Sequence, residues 1–131
     1  MRYLLDTHIW LWSLLAPEHL TRRVVRALEN RENELWLSPI STWELLVLVE
    51  KDRVRLNKDV EDWVAEAMSA VPLREAPFTY EVALETRRVK LPHRDPADRF
   101  LAATARVFDL TLITSDTRLI HVKGLSVLAN R

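Results

Sequence analysis

Short apolar runs alternate with amphipathic helical patterns along the whole of this 131-residue chain. The candidate strands are Arg2–Leu5, Leu35–Leu37, a short piece near Val71–Arg74, Leu110–Ile113 and Leu125–Leu128. Residues 60–68 carry apolar side chains at the i, i+3, i+4, i+7 and i+8 spacing of a helix with one buried face. Such β–α alternation predicts a parallel sheet covered by helices on both faces. No linker, repeat or low-complexity tract interrupts it, so we predict a single domain over residues 1–131.

Several helix starts can be placed from residues that accept hydrogen bonds from the exposed N–H groups of a first turn. Thr21 is the predicted cap of one helix, and either Asn57 or Asp59 begins another. Asp95 is a predicted N-cap because Pro96 suits the first helical position. We therefore interpret Asp95 as mainly structural.

Composition excludes several classes of protein. Without cysteine the chain has no disulfide framework, thiolate zinc site or cysteine nucleophile. A single glycine, Gly124, rules out the glycine-rich loops that bind dinucleotides or NTP phosphates, so no nucleotide cofactor is expected. No apolar run approaches the roughly 20 residues of a membrane span, and the N-terminus lacks a signal-peptide pattern. We expect a cytoplasmic protein that does not bind membranes.

Four acidic residues lie at separated points of the chain beside predicted elements: Asp6, Glu44, Asp98 and Asp116. Asp6 and Asp116 lie at or just past the ends of two candidate strands, where parallel sheets bind their ligands. Acids gathered without matching cations cannot all stay ionised close together, and a hard divalent cation removes that conflict. The pattern therefore indicates a metal site and, through it, a nuclease.

Each acid also has a local structural alternative. Asp6 could cap the helix that starts near Thr7, and Asp116 could cap a short helix running toward His121. Glu44 could form a capping box with Ser41. Asp98 falls in the first turn of a helix, where an acid is favourable without any metal. The four residues indicate a site only when they are taken together.

Two other enzyme classes that begin with a strand ending in Asp do not fit. Phosphatases of the haloacid dehalogenase type need a second Asp two residues on, where this chain has His8. A receiver domain needs an adjacent acidic pair at the end of the first strand, and none is present.

Four segments together resemble PIN domains, and most closely the VapC-like toxin ribonucleases of bacterial and archaeal toxin–antitoxin systems. These segments are Leu4-Leu5-Asp6-Thr7-His8-Ile9-Trp10, Ser41-Thr42-Trp43-Glu44, residues 91–105 (LPHRDPADRFLAATA) and Leu112-Ile113-Thr114-Ser115-Asp116. The resemblance covers essentially the whole chain. It implies a PIN-like three-layer α/β/α sandwich with a central parallel sheet of about five strands.

The same resemblance implies an endoribonuclease that hydrolyses RNA phosphodiester bonds with Mg²⁺ or Mn²⁺. Asp6, Glu44 and Asp98 would hold the ion, and Asp116 would act through water or a second ion. A cognate protein antitoxin and a toxin homodimer are implied as partners. The alternative is a catalytically silent PIN-like module that binds RNA or a partner, but acids at all four positions argue against degeneration.

Three candidate phosphate-binding residues lie within the third segment. We predict that His93, Arg94 or Arg99 helps to seat the scissile phosphate. Two features depart from the family pattern. The glycine often found after the Glu-bearing helix is absent from residues 50–56, and Asp95 competes with Asp98 for the third acidic position.

Overall fold

The computed structural model describes residues 1–92 and 94–131, and these form an all-parallel, five-stranded sheet in the order β3-β2-β1-β4-β5. The strands are β1 (Arg2–Leu5), β2 (Glu34–Leu37), β3 (Arg74–Glu75), β4 (Thr111–Thr114) and β5 (Val127–Ala129). The chain builds outward from β1 to β3 and then restarts at β4 on the other side of β1. Strand order therefore reverses between β1 and β4, and their carboxyl ends border the expected ligand crevice.

Helices cover both faces of this sheet. They are α1 (Thr7–Leu15), α2 (Arg22–Glu29), α3 (Pro39–Glu50), α4 (Val60–Ala70), α5 (Tyr80–Glu85) and α6 (Pro96–Val107). Successive side chains of β1 point to opposite faces: Leu5 joins a buried cluster with α1, α2 and α4, whereas Leu4 packs with α6. Val82 of α5 packs on the outer side of α6. The predicted α/β/α sandwich with a parallel sheet is confirmed.

Three predicted N-caps are present. The side chains of Thr21, Asp59 and Asp95 accept hydrogen bonds from the first turns of α2, α4 and α6. Asp59 rather than Asn57 therefore caps α4. Sequence patterns did not predict α5, whose six residues are too few to show a helical period. Within the described residues, no helix is long and apolar enough to cross a membrane.

The turn after α3 shows how the chain manages without the family's glycine. Asp52 adopts φ +57°, the left-handed conformation that glycine usually supplies at the end of a helix. Its N–H donates to the carbonyl of Val49 at 3.0 Å, and the N–H of Arg53 donates to that of Leu48 at 2.9 Å. These two bonds form a Schellman motif, and Asp tolerates the left-handed region better than most residues.

Candidate active site

The end of β1 places Asp6 against the end of β4. The backbone N–H of Asp6 continues the strand pairing by donating to the carbonyl of Ile113 at 3.0 Å. Its Oδ2 accepts a 2.5 Å hydrogen bond from Thr114 Oγ1, and its Oδ1 accepts one of 2.7 Å from the N–H of Thr7. Asp6 therefore does cap α1, and the same side chain also faces the crevice between the two strands.

Asp6 is held in an environment that disfavours its charge. Burial raises the pKa of its carboxyl, and the nearby charge of Asp116 raises it further. The hydrogen bonds from Thr114 and Thr7 and the charge of His8 lower the pKa but do not cancel the effect of burial. A cation placed against Asp6 would relieve this cost.

Glu44 lies in the middle of α3 and reaches the same crevice. Its Oε1 accepts a 2.5 Å hydrogen bond from Thr7 Oγ1, which also lies 2.8 Å from Ser41 Oγ. The Thr7 hydroxyl has one proton, and the carboxylate is its stronger acceptor, so Ser41 donates to Thr7. The capping-box alternative for Glu44 is wrong, because α3 starts at Pro39 and Ser38 is its N-cap.

Glu44 also carries a raised pKa. Burial is the largest cause, and the negative charges of Asp6 and Asp95 add to it, while the hydrogen bond from Thr7 acts in the opposite direction. The acids that are distant in sequence therefore influence one another's ionisation in the folded protein.

Asp95 and Asp98 are separated by their positions on α6. Asp95 is exposed and accepts a 3.0 Å hydrogen bond from the N–H of Ala97, as a capping residue does. Asp98, one turn into the helix, is buried, with 8% of its surface accessible. Asp95 therefore caps α6 as predicted, and Asp98 as the third metal ligand stays a prediction.

Asp116 lies two residues past β4 and begins a turn, so the short helix predicted after it is wrong. Its Oδ1 accepts from the backbone N–H of Arg118 at 2.9 Å and from Nε of the same residue at 3.0 Å. Its Oδ2 accepts from Arg118 Nη2 at 2.9 Å. The hydrogen bond to Asp116 raises the pKa of Arg118, and the negative charges of Asp116, Asp98 and Asp95 raise it further.

Sequence reasoning missed Arg118. Its Nη2 lies 2.9 Å from Asp116 Oδ2 and 3.8 Å from Asp98 Oδ2, so Arg118 links the two acids. The spacing of the two residues could have indicated the pair. An Asp side chain often accepts a hydrogen bond from the backbone N–H two residues later, which brings a basic side chain at that position close to the carboxylate.

The structure places two of the three predicted phosphate contacts. His93 lies outside the described residues. Arg94 is exposed just before α6, and Arg99 is partly buried in its first turns. Both arginines remain predictions as phosphate contacts.

The donor set at this edge suits a hard cation, because it consists of carboxylate oxygens, and burial together with the charges of neighbouring acids raises the pKa of two of these carboxyls. Within residues 1–92 and 94–131, however, no group of three or more His, Asp or Glu side chains is arranged closely enough to hold an ion without adjustment.

Comparison with known proteins gives a consistent result. The chain matches the PIN domain family over residues 3–125. It is 35% identical over 119 residues to Ribonuclease VapC22 of Mycobacterium tuberculosis, covering 88% of each chain. In fold it is similar to VapBC2 from Rickettsia felis bound to a DNA fragment from their promoter, with a TM-score of 0.73, 17% identity and 98% of each chain covered. It is also similar to a toxin–antitoxin complex from Klebsiella pneumoniae, with a TM-score of 0.67, 21% identity and 98% coverage of each chain.

Proposed function

The chain belongs to the PIN-domain family, and on that premise we propose that it is a metal-dependent endoribonuclease and the toxin of a toxin–antitoxin pair. The observation that carries the proposal is the convergence of Asp6 and Glu44 at one sheet edge, where burial raises the pKa of both carboxyls and the charge of Asp6 raises the pKa of Glu44 further. Its relative VapC22 is named a ribonuclease.

Asp6, Glu44 and Asp98 are the proposed ligands of a Mg²⁺ or Mn²⁺ ion, with Asp116 acting through water or at a second ion. When bound, such an ion lowers the pKa of a coordinated water and neutralises charge on the phosphate and the leaving oxygen. No side-chain nucleophile is required.

The chain's own hydroxyl groups orient these carboxylates. Thr114 fixes Oδ2 of Asp6, and Thr7 fixes Oε1 of Glu44. A carboxylate oxygen has two lone pairs, so each hydroxyl orients its acceptor without exhausting it. Arg94 or Arg99, at the start of α6, is proposed to seat the scissile phosphate, since guanidinium groups bind phosphate bidentately.

The direct test is cleavage of single-stranded RNA by purified protein in Mg²⁺ or Mn²⁺, with EDTA as the metal-free control. We expect Glu44→Gln to reduce the rate on the order of 100-fold or more, because charge stabilisation through an ion contributes several kcal/mol. Glu66→Gln, on the exposed surface of α4, is the matched control. Wild-type cleavage by Glu44→Gln would contradict the proposal. Metal binding without any RNA cleavage would favour the catalytically silent module.

A homodimer is proposed from exposed apolar side chains of α3. Trp43 is 57% exposed and Leu46, one turn away on the same side of the helix, is 37% exposed. Exposed apolar residues grouped in this way mark contact surfaces. Trp43→Glu should convert a dimer to a monomer in light scattering after size exclusion. Met68→Glu, at a 38% exposed position of α4, should leave the dimer intact.

A cognate protein antitoxin that covers the active site is the second proposed partner. The similar Klebsiella pneumoniae structure is a toxin–antitoxin complex. Co-expression with the product of an adjacent open reading frame should give a stable complex whose RNA cleavage is suppressed. A complex that cleaves RNA at the rate of the toxin alone would contradict active-site coverage.

A further inference from the structure

The acidic edge is the edge of the sheet beside Asp6, Glu44, Asp98 and Asp116. Arg118 donates three hydrogen bonds to Asp116 at this acidic edge. Its backbone N–H and Nε both reach Asp116 Oδ1, at 2.9 and 3.0 Å, and Nη2 reaches Oδ2 at 2.9 Å. The same Nη2 lies 3.8 Å from Asp98 Oδ2. One guanidinium thus stands between two of the four proposed site acids.

This arrangement competes with an ion for the same oxygens. A carboxylate oxygen has two lone pairs, and Oδ1 of Asp116 already accepts two N–H groups of Arg118. A divalent cation that binds either oxygen of Asp116 meets the positively charged guanidinium within hydrogen-bond distance, and one that binds Asp98 meets the same charge at 3.8 Å from Oδ2. Electrostatic repulsion therefore favours departure of the guanidinium when an ion binds these acids.

Arg118 can leave at low cost. Its side chain is 52% exposed, whereas those of Asp98 and Asp116 are 12% and 20% exposed. Because half of the Arg118 side chain is open to solvent, water rehydrates its guanidinium once it leaves the carboxylates. After release, the backbone N–H bond to Asp116 would still hold Arg118 beside the acids, so its guanidinium would be available to an RNA phosphate.

We propose that Arg118 exchanges partners during the reaction cycle: it is the counter-ion of Asp116 and Asp98 in the metal-free protein and binds an RNA phosphate once a metal ion takes those acids. The proposal rests on the proposed function. It adds to that function a phosphate-binding residue whose availability depends on metal binding.

The chain offers a matched control for this pair. Arg55 binds Asp52 through the same two atoms, with Nε to Oδ1 at 3.3 Å and Nη2 to Oδ2 at 3.1 Å. That pair is exposed and lies in the turn after α3, outside the acidic edge. Arg55→Gln therefore removes an equivalent ion pair without touching the site.

Mn²⁺ binding in the absence of RNA tests the first half of the proposal. By calorimetry, Arg118→Gln should bind Mn²⁺ roughly three- to tenfold more tightly than wild type, because a competing cation is gone. Arg55→Gln should bind Mn²⁺ like wild type, and thermal melting checks that each variant is folded. Equal or weaker Mn²⁺ binding by Arg118→Gln would overturn the proposal alone. Wild-type protein that binds no Mn²⁺ would overturn it together with the proposed function.

Steady-state cleavage of single-stranded RNA in Mn²⁺ tests the second half. Arg118→Gln should raise KM more than it lowers kcat, and the slope of log(kcat/KM) against log salt should become shallower by about 0.7, the value for one lost phosphate contact on a single strand. Arg118→Lys keeps the charge and should restore the slope. An unchanged slope and KM in Arg118→Gln would overturn the phosphate-binding role.

Discussion

Thr7 Oγ1 lies 2.5 Å from Glu44 Oε1, so the first residue of α1 fixes a carboxylate of α3 that is 37 positions away in the sequence. The backbone N–H of the same Thr7 binds Asp6 at 2.7 Å. One residue therefore orients two of the proposed metal ligands, which makes Thr7 the best point at which to disturb their geometry without altering an acid.

Thr7→Val keeps the shape of the side chain and removes the hydroxyl. We expect a loss of about 1.5–3 kcal/mol in the free energy of unfolding, the range for hydrogen bonds to charged groups. Cleavage should fall about 10- to 100-fold, as is usual when a partner that orients a metal ligand is lost. Urea unfolding and RNA cleavage measure the two effects.

Thr104→Val separates stability from activity. Thr104 is also buried, and its hydroxyl bonds the carbonyl of Phe100 at 2.7 Å within α6. This variant should lose about 1 kcal/mol of stability and retain cleavage. If both variants lose activity in proportion to stability, the specific role of Thr7 is wrong.

Asp6→Asn should stabilise the metal-free protein at neutral pH while abolishing cleavage. Burial raises the pKa of Asp6 in the folded state above its ordinary value of 3.8, so the folded protein binds the proton more tightly than the unfolded chain. The stabilisation from protonated Asp6 is complete below pH 3.8 and is lost as the pH rises through the raised pKa. Asn stays neutral throughout and remains a good N-cap.

Urea unfolding in EDTA from pH 3 to 7 measures this effect. Asp6→Asn and wild type should converge near pH 3, and the variant should become the more stable of the two as the pH rises. Glu32→Gln, in the exposed turn between α2 and β2, should follow wild type across the range. A wild-type advantage that grows with pH would show that the sign is wrong.

Substitutions of Asp95 and of Asp98 should differ in their effects on stability and on RNA cleavage. Asp95→Ala removes the cap of α6 and should cost about 0.5–2 kcal/mol of stability, whereas Asp95→Ser should restore it. Both variants should cleave RNA. Asp98→Asn should lose roughly 100-fold or more of the cleavage rate while keeping the capped α6 helix, which circular dichroism checks. Loss of cleavage in Asp95→Ser would move the ligand role to Asp95.

The local features of the fold were predictable because short-range chemistry decides them. A cap such as Asp95 depends on a proline one residue away and on N–H groups two residues away, all visible in the sequence. The positions of β1 and β2 followed from apolar runs, whereas β3, β4 and β5 start three, one and two residues later than predicted. Parallel strands then bring their carboxyl ends to one edge, which placed Asp6 and Asp116 in the same crevice.

The contacts that orient the acids were not predictable in this way. Ser41 and Glu44 have the spacing of a capping box, yet both interact with Thr7 of another helix, because Ser38 and Pro39 start α3 three residues earlier. The link from Arg118 to Asp98 joins residues 20 positions apart. Such pairs depend on how helices approach over the sheet, which no local pattern records.

Replacing Asp52 or Asp109 with glycine should raise the free energy of unfolding. Both have left-handed backbones, at φ +57° and +54°, just after α3 and α6. At the second site Leu110 N–H donates to the carbonyl of Ala105 at 2.8 Å and Asp109 N–H to that of Arg106 at 3.4 Å, so it too is a Schellman motif. A Cβ at positive φ costs roughly 1 kcal/mol or more, and glycine avoids that cost.

Glycine at either site should raise the free energy of unfolding by about 0.5–1 kcal/mol, and alanine should lower it, because alanine keeps the Cβ and loses the local polar contacts of Asp. At residue 52 the gain is reduced by loss of the exposed pair with Arg55, which contributes about 0–1 kcal/mol. Asp109→Gly should therefore stabilise more than Asp52→Gly. Thermal and urea unfolding of the four variants measure the order, and a destabilising Asp109→Gly would mean that the aspartate side chain contributes more than the strained backbone costs.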